Sequence, residues 1–378
     1  MRSIKRTEYI YHIKSLLLLG LPIIIGQLGN IITGLADTVM VGQHSTEELA
    51  AASFVNNVIN AFIILGTGFS FNYTPIIGEN IAVNKRIAIG GWLKNSLMAN
   101  FTTTISILIV LLLIYTNIEL LKQPDELMPL IKPYYIVLLL FIAVFVKQKK
   151  YLPFRKGFLV TPFRKAYWKR LNLIGWPIAF QQGIEAATFC ITTIMIGWLG
   201  GMELAAHQVA IAISTVSFTI YLGLGSAVAI RTSMFKGLQD WEKVRHVTAA
   251  GVILAIITSI TLSIILLCCC DTIGNLFTDD ESVSEIVAIL IPILIAYQFG
   301  DSIQIVLANA LRGLSDVTSI MIISFISYFI VAIPSGYSIA FFLGKGIAGI
   351  WMSYPIGFTC AVLLLGYRAF HIMNFKRK

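Results

Sequence analysis

Three carboxylic acids stand inside long apolar stretches of this 378-residue chain: Asp37, Glu185 and Asp301. An ionisable group in hydrocarbon costs a few kcal/mol, so a chain that keeps one usually uses it. Glu185 follows Arg170 by 15 residues, and Asp301 precedes Arg312 by 11. At 1.5 Å of helical rise per residue the two acids sit about 22 and 16 Å from the membrane face those arginines mark, near the midplane. Two arrangements fit them. They can share a site for one small cation, Na⁺ or H⁺, with Tyr297, four residues before Asp301 on the same helix face, adding a hydroxyl oxygen. Alternatively, each acid is satisfied separately by backbone or Ser/Thr partners. Asp37 lies 23 residues after Lys14, toward the outer half of its span. It reads either as a protonatable cavity residue or as an acid reaching the outer headgroups.

The elements that hold these acids must be membrane spans. The chain is 57% hydrophobic and 12% charged, with a mean hydropathy of +0.82. Soluble domains carry about 25% charged residues, so an ordinary soluble enzyme, a disordered chain and a secreted disulfide scaffold are excluded. Ten stretches read as crossings: 15–36, 49–78, 95–118, 133–146, 171–202, 204–230, 246–270, 286–311, 317–344 and 346–367. The fourth is short, with lysines at both ends that can snorkel. The basic start (Arg2, Lys5, Arg6, Lys14) precedes an apolar run longer than a signal-peptide core, so it reads as a first span rather than a cleaved leader. Ten crossings put both termini on one side. With the termini cytoplasmic, 25 of the 28 Lys and Arg fall inside, as the positive-inside rule requires.

A shift of 155 residues lays 21–51 on 176–206 without a gap, with eleven of 31 positions identical, among them Pro22/Pro177, Gln27/Gln182, Thr33/Thr188 and Gly42/Gly197. Four spans separate equivalent points, so the copies share one orientation: a parallel repeat of the kind some secondary transporters use, with substrate bound between the lobes. Glu185 pairs with Asn30 and Asp37 with Thr192, so polar groups recur at equivalent heights. Gln27, Asn30, Asp37 and Gln182 are the candidate cavity residues. The copies are unequal. A four-span first lobe (1–150) meets a six-span second lobe (171–378) through a basic linker (151–170). The short fourth span reads as a hybrid left by the loss of about two crossings, which preserves the sidedness of everything downstream.

Other features ask for less. The cysteines, including the run Cys268–Cys270, have neither metal-ligand nor disulfide spacing. His207 reads as a hydrogen-bonded packing residue. The aromatic, basic stretch 151–170 can lie on anionic lipid. Topology accounts for the positive charge, so nucleic acid is not an expected partner. No Gly-x-x-x-x-Gly-Lys-Ser/Thr loop is present to bind ATP.

The segment Leu21-Pro22-Ile23…Gln27…Ala36-Asp37-Thr38-Val39-Met40-Val41-Gly42, then Glu48-Leu49-Ala50-Ala51, resembles the opening of a MATE (multidrug and toxic compound extrusion) transporter. Its echo from Trp176 to Gln208, and Tyr297-Gln298-Phe299-Gly300-Asp301 with Leu311-Arg312-Gly313, resemble the second lobe of that family, closest to its NorM-like branch. The resemblance implies an all-α polytopic membrane protein, a two-lobe helical bundle with about ten transmembrane helices where the family has twelve. It implies a multi-pass protein of the cytoplasmic membrane that exports organic cations or drugs in exchange for Na⁺ or H⁺. No other cofactor, no enzymatic activity and a monomer in membrane lipid are expected. By the same resemblance Glu185, Tyr297 and Asp301 match the second-lobe cation site, and Asp37 the first-lobe acid of proton coupling. The lost spans leave one alternative, a transport-inactive remnant acting as a structural membrane protein.

Overall fold

The computed structural model describes residues 2–44, 46–117, 163–269 and 281–375. These are helical apart from short turns, with no strand among them. In chain order the helices are α1 (Arg2–His44), α2 (Thr46–Ser70), α3 (Thr74–Ala82), α4 (Arg86–Thr116), α5 (Lys165–Gly197), α6 (Gly201–Gly237), α7 (Trp241–Cys268), α8 (Glu281–Gly313), α9 (Val317–Phe342) and α10 (Gly346–Phe375). A short 3₁₀ turn, Phe71–Tyr73, joins α2 to α3. Eight helical stretches among the described residues are long and apolar enough to cross a bilayer. The 33-residue α5 has the length as well, but Gln181, Gln182 and Glu185 lower its hydropathy. The expected fourth span, 133–146, lies outside the described residues. So does the linker up to residue 162. From Lys165 on its remainder is helix, the start of α5. There Tyr167 stacks on Trp92 of α4 at 3.7 Å, and Arg170 lies 5.5 Å from the Trp92 ring.

The helices follow membrane logic, with large aliphatics outside and small residues within. On α7, Ile253, Ile257, Ile260 and Ile264 are exposed along one face, while Ala250, Gly251, Ala255 and Ser259 are buried on the other. From Gln304 to Gly313, α8 is buried on every side. α6, α7 and α10 pack around it. In α9, Pro334 supplies no backbone N–H, and wider π-helical segments flank it, Ile326–Ala332 and Ser338–Phe342. The turns after α6 and α8 are alike. Gln239 and Ser315 take left-handed backbone (φ 59° and 63°). Asp240 N–H returns to the Phe235 carbonyl, and Asp316 N–H to that of Leu311.

The described residues fall into two compact units. One holds α1 to Leu28, Thr74–Asn84 and everything from Ile184 onward. The other holds Gly29–Tyr73 and the described part of Lys85–Gly183. α1 and α5 thus each pass from one unit to the other, at Leu28/Gly29 and Gly183/Ile184. These two boundaries are separated by the repeat shift of 155 residues.

Candidate cation site

α8 presents Tyr297, Asp301 and Gln304 at spacings of four and three, hence on one face of the helix. All three are buried, with Asp301 2% exposed. Glu185 reaches this face from α5. Its Oε1 accepts hydrogen bonds from Gln304 Nε2 at 3.1 Å and from the Tyr328 hydroxyl of α9 at 3.4 Å. Two acids more than a hundred residues apart in sequence thus meet one face of α8, Asp301 on the helix itself and Glu185 through Gln304 one turn away.

The neighbourhood is not fully satisfied within the protein. Asp301 Oδ2 is buried without a hydrogen-bond partner. A buried acceptor left unpaired costs about 1–3 kcal/mol, more if it is charged, so this oxygen is poised for a proton or a cation. The donors nearby are all oxygen: two carboxylates, the Gln304 amide and the hydroxyls of Tyr297 and Tyr328. Hard oxygen ligands suit Na⁺, and carboxylates suit H⁺. Among the described residues no group of three or more His, Cys, Asp or Glu gathers as a transition-metal site would need.

An aromatic wall stiffens the site. The Tyr297 ring packs against Trp351, Tyr354 and Phe358 of α10 at centroid distances of 6.2, 5.8 and 5.2 Å. Tyr354 in turn shares a short hydroxyl contact with Thr192 of α5. His207 is buried as a packing residue, its Nε2 2.8 Å from Thr193 Oγ1.

Two participants escaped the sequence reading. Gln304 was legible, because it continues the Tyr297–Asp301 face by one more turn. Tyr328 carried no signal, since only the path of α9 brings it to Glu185. Gln182 belongs to the other compact unit, against Gly68 of α2. Gln27 is half-buried on α1. The side chains of Asn30 and Asp37 lie outside the described residues.

Comparison with known proteins places this geometry. The MatE family model matches residues 22–149 and 177–338, well over half of the chain. The chain belongs to the MatE family. Members of this family are membrane transporters rather than enzymes, and this MATE chain is a multi-pass membrane protein. It is similar to the multidrug resistance protein MdtK of Proteus mirabilis (strain HI4320), 25% identical over 460 aligned positions that span 97% of each chain. It is also similar to the probable multidrug resistance protein NorM of Xylella fastidiosa (strain Temecula1 / ATCC 700964), 33% identical over 204 residues, 53% of this chain and 44% of that one. Solved structures share the fold. A MATE protein in the straight conformation gives a TM-score of 0.85 at 14% identity over 97% of each chain. The eukaryotic MATE transporter AtDTX14 gives 0.81 at 14% identity over 98% of each. An alignment of 460 positions exceeds the 378 residues present, so it leaves gaps in this chain.

Proposed function

We propose that this MATE protein exports organic cations or drugs across the cell membrane by alternating access, in exchange for Na⁺ or H⁺. The observation that carries the reading is the unpaired, buried Asp301 oxygen on the α8 face whose Gln304, one turn on, holds Glu185. A cation entering there neutralises two acids that otherwise repel each other, and its departure leaves a charge that favours the other conformation. Gln304 and Tyr328 hold Glu185 in register, so the two carboxylates respond together. The relatives' names, multidrug resistance proteins, supply the substrate class. In this reading the two lobes are 1–150 and 171–378, both termini are cytoplasmic, the chain works as a monomer in lipid, and the coupling ion is the one small cofactor it needs.

Ethidium efflux from cells expressing the chain tests this, beside Glu185→Gln and Asp301→Asn. Parent cells should clear the dye, and both variants should lose most of that clearance. Variants that export as well as the parent would refute the coupling assignment. The gaps that the MdtK alignment leaves in this chain motivate a second reading, a transport-inactive remnant. A correctly inserted parent that exports nothing would favour it.

A further inference from the structure

A second set of polar groups meets the same stretch of α8 from α6 and α7. Tyr221 of α6, Ser259 of α7 and Gln298 and Ser302 of α8 are all fully buried. Ser259 Oγ lies 2.8 Å from Ser302 Oγ and donates to the Tyr221 hydroxyl at 3.2 Å. The Tyr221 hydroxyl donates to Gln298 Oε1 at 3.5 Å. The set therefore abuts the candidate cation site. Ser263, one turn further along α7 on the Ser259 face, continues it toward the C-terminal end of that helix.

Three atoms along this seam are buried without hydrogen-bond partners: Asp301 Oδ2, the Gln298 amide Nε2 and Ser263 Oγ. Native interiors rarely leave such groups unpaired, and the usual remedy is bound water with two to four polar partners. The unmet groups are complementary in the required way. A carboxylate oxygen accepts, an amide donates, a hydroxyl does both, and water can satisfy each of them. Six polar side chains border this seam, and buried water is found in polar settings of this kind rather than in apolar ones.

We propose that α6, α7 and α8 enclose a seam of bound water that runs along the Ser259–Ser263 face of α7 to Asp301. The water rests on the unmet polar groups and not on the coupling reading above.

Hydroxyl-radical footprinting of the purified full chain tests the water directly, because bound water generates the label beside buried side chains. Tyr221 should be labelled at least about tenfold faster than Phe69, which is equally buried among apolar groups. Ser259→Val and Gln298→Leu should abolish that excess, while Ser259→Thr, which keeps the hydroxyl, should retain it. Tyr221 labelled no faster than Phe69 would overturn the proposal on the parent chain alone, as would equal labelling of parent and folded Gln298→Leu. A parent that exports nothing would sink the transport reading while leaving the footprint to decide the seam.

Discussion

α1 and α5 open the two copies of the repeat, and each gives its first half to the other copy's second helix. In one compact unit Gly20 of α1 lies on Gly223 of α6, backbone against backbone, with Ile24 beside it. In the other, the repeat-equivalent Gly175 of α5 lies on Phe69 of α2, while Gly68 of α2 approaches Ala179 and Gln182. The crossing is the same and the filling differs. The first contact is closed by two missing side chains. The second is closed by one buried ring, with Trp176 against it at 5.5 Å. Duplication kept the exchange of helix halves and let the contacts diverge. Chemistry diverged more. At the repeat-equivalent position α5 carries Glu185 where α1 carries Asn30, and Glu185 meets the Asp301 face of α8 through Gln304.

The largest expected effect tests whether the chemistry belongs to the second copy alone. Asp301→Asn and Glu185→Gln should each reduce ethidium efflux by more than about tenfold, and Asp37→Asn by less. Equal losses from all three would make the copies equivalent. Exchanging the pair, Asn30→Glu with Glu185→Asn, should not restore efflux, because it removes the carboxylate that Gln304 and Tyr328 hold. Restoration would show that height in the membrane suffices.

The contacts come next. Adding a methyl at Gly68 would bring it 2.9 Å from the Ala179 Cα, a backbone atom that cannot step aside, so Gly68→Ala should cost about 1–3 kcal/mol. Gly175→Ala meets only the Phe69 ring, which can shift, and should cost less. Thermal unfolding of both variants in one detergent gives the order, and a reversed order would break the account of how the two crossings are filled. Gln304→Leu should weaken Na⁺ or H⁺ protection of the site several-fold without preventing folding, since it removes one donor to Glu185 and keeps the side chain's bulk.

The smallest effect lies at a turn outside the spans. Asp240 caps α7, accepting from the Lys243 N–H at 3.1 Å and pairing with the Lys243 ammonium at 2.8 Å. Partial burial pushes its carboxyl up, but the bonds and charge of Lys243 outweigh this and hold it below its ordinary 3.8. The folded state therefore gains stability that is complete above that ordinary value and lost as the pH falls through the lower, folded one. Asp240→Ala should cost about 1 kcal/mol near neutrality and nothing in strong acid. A variant equally destabilised at both pH values would place the effect elsewhere. Asp316, at the equivalent turn after α8, does not cap its helix. It forms a two-point ion pair with Arg368 of α10 at 2.7 and 3.2 Å instead.

The spans were legible because hydrocarbon enforces them. An apolar helix of about 20 residues is the cheapest way to hide a backbone in lipid, and its sequence says so directly. The duplication was legible as well, through identities such as Pro22/Pro177 and Gln27/Gln182. So were Asp301 and Glu185, because charge is costly at that depth and stands out against Ile and Leu. What only the tertiary structure decided is which groups meet. Tyr328 reaches Glu185, Gln182 goes to Gly68, and α1 and α5 each divide between the two units. Those outcomes depend on contacts between helices far apart in the chain. Among apolar helices in an apolar solvent, close fit and a few polar pairs choose the partners, and neither is written in the hydropathy of one helix read alone.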